Sequence, residues 1–412
     1  KRNMEKANSN FRFILLYTWT TIILAQVLKN NFSIVYYSIL FSVFLIISIL
    51  IFKKGFFVKA IDFFTMHLWI FYILLIYIAA ISFIHGDLSQ FLKAFPRMII
   101  MPITFIIFLN LISFKYHFKK LIDLLIIFSI IAALSLIYQV YNGPLDILVE
   151  SSTRLGLDRY ASTFGSLTIY GSVVGIATLL VLRTNLNVFF KFFIITLFLT
   201  SAFVTLAKAA VLNILIATII SLFFIRIENK NLLVFLIISG LTFVYFALPE
   251  IGIYITKSIQ ALGFSEGKID VSSNSSFFYQ FLKRFFYSAE YLSNFNIIDI
   301  FFGFGLIGGQ GVFGLPYSFT GTTHNQFMDL YLIGGIFLFL NVVFLIVCLM
   351  LELNKMKKKD PLAETFFFCN IIAIINMFFF NGFFYQPVTS FVFWLSIVYA
   401  IKFREYNYEK SI

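Results

Sequence analysis

Twelve long apolar runs decide what this chain can fold into. A helix that crosses a bilayer needs roughly 20 apolar residues. Runs near that length lie at 11–28, 32–52, 64–84, 98–114, 121–141, 166–182, 189–206, 209–225, 232–248, 327–351, 365–380 and 388–402. Phe and Ile favour strands in water, but within lipid every backbone group must be paired inside the protein, which favours helices. The alternating ten-residue segments of a transmembrane barrel are absent from the sequence.

The composition excludes the soluble and the disordered classes. Apolar residues make up 60% of the 412 residues and charged residues 12%. Soluble domains carry about 25% charged residues, and disordered chains have low hydrophobicity. We therefore predict an all-α polytopic membrane protein with about 12 transmembrane helices, forming a single integral membrane domain over 1–412. No small-residue cleavage site follows the first run, which we interpret as the first span and a signal anchor.

The basic residues predict the orientation. With the N-terminus in the cytoplasm, the inner segments hold 21 of the 31 Lys and Arg residues, and the whole net charge of +12 lies on that side. This is the asymmetry that the positive-inside rule requires. We therefore place both termini in the cytoplasm and interpret the high pI as a topology signal, with no nucleic-acid partner. The lipid bilayer is the expected surrounding.

Two outer segments are longer than simple connections need to be, and long ordered loops usually carry function. They are the outer loop 142–165 and the long outer loop 249–323. Within the second, 277–292 has one apolar face and an opposite polar stripe, which predicts an amphipathic helix on the membrane surface. The stripe consists of Gln280, Lys283, Arg284 and Tyr287. The helix either anchors the loop at the interface or also directs Arg284 at a substrate.

Three further cations mark the outer side. Arg154 and Arg159 lie five residues apart before the sixth span, and a pair of guanidinium groups suits a phosphate-bearing lipid. Arginines near helix ends also commonly extend to lipid headgroups without further role. Lys208 lies between two spans with almost no loop, so it is either a binding residue or a marker of a tight hairpin. Gly171 and Gly175 form a GxxxG pattern, which allows close helix packing.

A glycine-rich stretch, 302–327, ends in the most informative residue of the chain. His324 is one of four His residues and lies where the tenth span begins, so it is a candidate general base. Asn325, Gln326 and Asp329 follow it as candidate substrate-binding residues, with Asp329 placed to orient the imidazole. The alternative is that His324 and Asn325 cap the helix. No spacing of His, Cys, Asp or Glu typical of a metal site is present.

The order of these motifs resembles the O-antigen polymerase and O-antigen ligase superfamily of polytopic membrane glycosyltransferases. The resemblance covers roughly 150–340. The matching stretches are Arg159 before Gly171, Thr205 to Lys208, Arg284 to Ala289, Phe302 to Gly305, and His324-Asn325 with Gly334-Gly335. The family has Ser-Arg where this chain has Ala207-Lys208, which keeps the charge but not the guanidinium fork. The resemblance implies a GT-C-like architecture.

It also implies a function on the outer face of the bacterial cytoplasmic membrane. A polymerase would transfer an undecaprenyl-pyrophosphate-linked glycan onto a lipid-linked repeat unit, without a cofactor or a metal, and a chain-length regulator is a possible partner. His324 would act as general base. Arg284 and Arg159 would stabilise the leaving pyrophosphate, and Arg154, Lys208, Lys283 and Tyr287 would bind substrate. The alternatives are a ligase that uses a lipid-core or protein acceptor, and, in a different class, a flippase for lipid-linked oligosaccharides.

Overall fold

The chain is predominantly helical. The computed structural model describes residues 63–85, 101–102, 104–106, 108–109, 112, 115–145, 152–164, 167–224, 229–261, 264–265, 268–269, 297–303, 305, 325–379 and 387–411. Among these residues, five helices are long and apolar enough to cross a membrane: Phe64–Ser82, His117–Asn142, Lys230–Ala247, Gln326–Met356 and Pro361–Phe378. Three shorter apolar helices are Ile169–Arg183, Val188–Val204 and Lys208–Phe224. The predicted helical membrane class is therefore confirmed, while the runs 11–28 and 32–52 lie outside the described residues.

The elements follow one another along the chain with short connections. They are α1 (Phe63–His85), α2 (Lys115–Asn142), β1 (Ser152–Arg154), β2 (Leu157–Arg159), α3 (Leu167–Arg183), α4 (Val188–Val204), α5 (Lys208–Phe224), α6 (Lys230–Ala247), α7 (Pro249–Ala261), β3 (Phe264–Ser265), β4 (Lys268–Ile269), α8 (Ile297–Phe302), α9 (Gln326–Met356), α10 (Pro361–Phe379) and α11 (Pro387–Ser411). Three helices begin at a proline, which is favoured at the first helical position because its missing N–H would have no helical partner there.

The chain forms two compact units, which are described separately. The first contains the described residues of 114–282 and 371–376, and the second those of 37–113, 283–370 and 377–412. In the first unit, α3 is the central helix, since every side chain from Ile169 to Leu182 is buried. By contrast, α6 exposes most of its apolar side chains, among them Phe243 at 70%, as suits a helix that faces lipid chains.

The GxxxG pattern of α3 packs against α5. A Cβ atom added to Gly171 would lie 2.9 Å from the Ala210 Cα atom, and one added to Gly175 would lie 2.8 Å from the Asn213 Cβ atom. The missing side chains therefore let the two helices approach closely, as the sequence predicted. The Asn213 side chain also donates a hydrogen bond to the Gly171 carbonyl oxygen, at 3.0 Å. This packing fixes the position of Lys208, the first residue of α5.

In the second unit, α9 is interrupted by a backbone break. Gly335 has φ 63° and ψ −163°, so the helix does not continue regularly through this residue. The interruption leaves the Ile333 carbonyl oxygen to accept a hydrogen bond from the Gly305 N–H, at 2.9 Å. A Cβ atom on Gly335 would lie 2.1 Å from the Phe301 carbonyl oxygen, and one on Gly303 would lie 2.5 Å from the Ile333 carbonyl oxygen. The glycines of the two motifs 302–305 and 334–335 thus form one close backbone contact.

Candidate anion-binding site

The outer loop predicted at 142–165 contains a β-hairpin that the sequence did not indicate. Strand β1 pairs antiparallel with β2, with Ser152 opposite Arg159 and Arg154 opposite Leu157. Residues that face each other across an antiparallel pair lie on the same side, so both arginines lie on one face. Leu155 and Gly156 both have positive φ, 54° and 76°, as the tightest two-residue hairpin turns require.

This face of the hairpin contacts the short turn between α4 and α5. The Arg159 Nε–H donates to the Thr205 carbonyl oxygen at 2.9 Å, and the Arg154 Nη1 donates to the Leu206 carbonyl oxygen at 2.8 Å. The structure thus brings together the arginine motif and the Thr205–Lys208 motif, which are about 50 positions apart in the chain. We call this arrangement the cation site and define it by Arg154, Arg159 and Lys208 with the turn 205–207.

The turn directs two consecutive carbonyl groups at the arginines because of its own conformation. Leu206 has φ 49°, a left-handed conformation that costs a non-glycine residue roughly 1–2 kcal/mol. The Thr205 hydroxyl stabilises the turn, since it donates to the Ala202 carbonyl oxygen at 2.7 Å and accepts from the Ala207 N–H at 3.2 Å. Backbone strain of this kind concentrates at functional sites. The sequence analysis included Thr205 only as part of a motif and missed its role in shaping the turn.

The electrostatics of the cation site favour an anion. Burial lowers the pKa of Arg154, and burial together with the charge of Arg154 lowers the pKa of Arg159 to about 10. Each guanidinium makes one hydrogen bond within the described part of the chain, and neither forms an ion pair there. Both groups remain charged at neutral pH, and each keeps four N–H donors beyond the one that orients it.

Lys208 adds to the same positive field. It is the first residue of α5 and is 9% exposed. The N-terminus of a helix carries a partial positive charge, so a buried lysine at this end is electrostatically unfavourable unless an anion is near. Backbone N–H groups at such an end also bind phosphate-like ligands. Lys208 and the helix end therefore reinforce the arginine pair.

A helix that the sequence analysis treated as loop supports the cation site from a second side. Helix α7 lies at the start of the loop predicted at 249–323. The Tyr254 hydroxyl donates to the Asp158 carbonyl oxygen at 2.7 Å, and the Ser258 hydroxyl donates to the Phe203 carbonyl oxygen at 2.8 Å. Burial raises the pKa of Tyr254, so this hydroxyl keeps its proton. The spacing of the buried residues Ile251, Tyr254, Ile255 and Ser258 after a proline could have predicted this helix.

The remaining described candidates lie in the second unit, at the start of α9. The Asn325 side-chain oxygen accepts hydrogen bonds from the backbone N–H groups of Phe327 and Met328, at 3.0 and 3.3 Å. Asn325 is thus the helix cap, which agrees with the alternative interpretation given above. Gln326 is fully buried and Asp329 is 4% exposed. The carboxylate of Asp329 lies in the first helical turn, where the helix dipole stabilises a negative charge.

Four candidates lie outside the described residues, namely Lys283, Arg284, Tyr287 and His324. The interfacial helix predicted at 277–292 lies outside them as well. Their roles in the site remain predictions from the sequence. Among the described residues, no three His, Cys, Asp or Glu side chains lie close enough together to hold a metal ion.

Comparison with known protein families, with curated proteins and with solved structures gave no match to this chain. The architecture and the cation site therefore rest on this chain's own sequence and geometry.

Proposed function

We propose that this chain is a polysaccharide polymerase on the outer face of the bacterial cytoplasmic membrane. It transfers a glycan from undecaprenyl pyrophosphate onto the next lipid-linked repeat unit. The proposal combines the resemblance of the motifs to the O-antigen polymerase and ligase superfamily with the chemistry of the cation site. Twelve spans with both termini in the cytoplasm are part of this proposal.

One observation carries the proposal. Arg154 and Arg159 meet at the turn before Lys208, and within the described residues no carboxylate pairs with either guanidinium. Two oriented guanidinium forks and a helix N-terminus fit the oxygens of a diphosphate better than a single carboxylate, because they offer many donors in a fixed arrangement. The single carbonyl bond that each arginine makes orients the group and leaves most of its donors for a ligand.

The reaction places the cation site at the leaving group. A hydroxyl of the acceptor sugar attacks the anomeric carbon of the donor, a new carbon–oxygen bond forms, and the bond to the pyrophosphate oxygen breaks. The electron pair of that bond leaves with undecaprenyl pyrophosphate. The charges of Arg154, Arg159 and Lys208 stabilise the negative charge that develops there. The proton of the hydroxyl passes to His324 as general base, and the displacement inverts the anomeric centre.

The two rivals differ in what happens to the same ligand. A ligase shares the donor and the cation site but transfers the glycan to a lipid-core or protein acceptor. A flippase moves the lipid-linked glycan without breaking a bond, and it would be expected to have two similar halves. The sequence shows no repeat between 1–200 and 201–412, so transfer chemistry is the better reading.

Purified protein supplied with undecaprenyl-pyrophosphate-linked repeat units tests the proposal. The expected products are a ladder of longer glycans on gels and an equal release of undecaprenyl pyrophosphate. Lys208→Ala should reduce the rate by about 100-fold, the scale for loss of one transition-state contact. Lys230→Ala, an exposed lysine at the start of α6, is the matched control and should retain full activity. His324→Ala should leave single repeat units.

Other results would contradict the proposal. A single transfer to a lipid-core acceptor without a ladder would identify a ligase. Movement of the intact lipid across vesicles without release of undecaprenyl pyrophosphate would identify a flippase. Full activity of Lys208→Ala would place the donor site elsewhere, and ladders from His324→Ala would exclude that residue as the base.

A further inference from the structure

The first helix of the long loop contacts both halves of the cation site at once. Tyr254 and Ser258 lie four residues apart on α7, so they lie on the same face of this helix. Tyr254 bonds the hairpin at the Asp158 carbonyl oxygen, and Ser258 bonds the end of α4 at the Phe203 carbonyl oxygen. These two acceptors are separated by about 45 positions in the chain.

Each acceptor lies next to a group that forms the cation site. Asp158 directly precedes Arg159, and Phe203 lies two residues before Thr205, whose carbonyl group orients Arg159. Both hydroxyl donors belong to buried residues, since Tyr254 is 6% and Ser258 is 3% exposed. Buried hydrogen bonds of this kind are stronger and more restrictive than exposed ones, because water does not compete for the acceptor.

The hairpin has little else to hold it in place. Its two strands are three residues long, and an isolated two-stranded hairpin is at best marginally stable. Thr153 and Asp158, on the opposite face, are exposed. The direction of the two guanidinium groups therefore depends on contacts with the turn 205–207 and with α7.

We propose that Tyr254 and Ser258 are positioning residues, which hold the arginine hairpin against the turn 205–207 in the arrangement that binds a diphosphate. This inference rests on the proposed function, because it takes the cation site to be the diphosphate site. It assigns to α7 a role in donor binding, and it makes the start of the long loop 249–323 part of the site. Neither hydroxyl contacts the ligand; both act through the backbone next to the site.

Binding of inorganic pyrophosphate to the purified full-length protein in detergent tests the inference by calorimetry. Tyr254→Phe and Ser258→Ala should each raise the dissociation constant about five-fold, the effect of one lost hydrogen bond. Tyr245→Phe and Ser221→Ala are matched controls. The Tyr245 hydroxyl lies on α6 and contacts only exposed Thr256, and the Ser221 hydroxyl bonds a carbonyl of its own helix. Both controls should bind as the wild type does.

A double-mutant cycle separates positioning from general stability. If Tyr254 acts by orienting Arg159, then Tyr254→Phe should change binding less than two-fold in an Arg159→Lys background, because lysine lacks the oriented fork. The same five-fold loss in both backgrounds would overturn the inference, as would wild-type binding by Tyr254→Phe and Ser258→Ala. If the wild-type protein itself does not bind pyrophosphate, the proposed donor site fails together with the inference.

Discussion

Replacing Arg159 with Gln should separate the stability of this protein from its function. The substitution removes a charge and the hydrogen bond from Nε to the Thr205 carbonyl oxygen. In most buried sites the loss of such a contact destabilises the fold. In this site two opposing effects act on the free energy of unfolding, and their sizes can be compared.

The charge of Arg159 is costly in the folded state. Burial and the neighbouring Arg154 lower its pKa from 12.5 to about 10, which corresponds to at most about 3.4 kcal/mol. Arg159 is only partly buried, so solvent screening reduces this cost to about 1–2 kcal/mol. The hydrogen bond that is lost contributes about 1.5–3 kcal/mol, since its donor is charged. The two effects nearly cancel, and we expect a net change within about 1 kcal/mol.

The effect on the ligand has no such compensation. Loss of one donor group from a site that stabilises developing negative charge typically reduces the rate by about 100- to 1,000-fold. Arg159→Gln should therefore retain its thermal unfolding temperature within about 3 °C while it loses nearly all activity. Stability that is kept or gained when activity is lost is the expected signature of a residue selected for function.

Thermal unfolding in detergent and the glycan ladder assay measure the two quantities on the same preparation. Arg404→Gln is the matched control, because Arg404 forms an ion pair with Glu352 at 2.7 Å and lies outside the cation site. It should lower the unfolding temperature slightly and keep full activity. The reasoning is refuted if Arg159→Gln unfolds far below the wild type, or if it remains active.

Two further predictions concern charge and backbone. Arg154→Gln removes the like charge that lowers the pKa of Arg159, so the loss of pyrophosphate binding as the pH rises through about 10 should move to higher pH; an unchanged midpoint in a binding titration would contradict this coupling. Gly335→Ala should abolish folding, measured as the yield of monodisperse protein, since its Cβ atom would lie 2.1 Å from a backbone oxygen. Gly143→Ala has a similar positive φ but open space around it, and should cost only about 1–2 kcal/mol; equal yields for the two variants would refute the close contact at Gly335.

Periodicity and spacing predicted the helices well because their cause is local. A run such as that of α9 must be helical in lipid whatever lies beside it, and Gly171 and Gly175 indicate close packing through their own lack of side chains. The charges of Arg154, Arg159 and Lys208 indicated an anion site for the same reason. Each of these features is visible within a few residues of the chain.

Other features depend on partners that are distant in the chain. The hairpin 152–159 is too short to form by its own propensity, and it is held by the turn 205–207 and by Tyr254. The positive φ of Leu206 arises where the chain reverses between two packed helices, and no residue type announces it. The sequence alone therefore determined that the chain is a bundle of apolar helices and which cations it carries. Only the tertiary structure decided that two arginines share one turn, because that contact joins segments about 50 residues apart, whose meeting depends on the packing of all the helices around them.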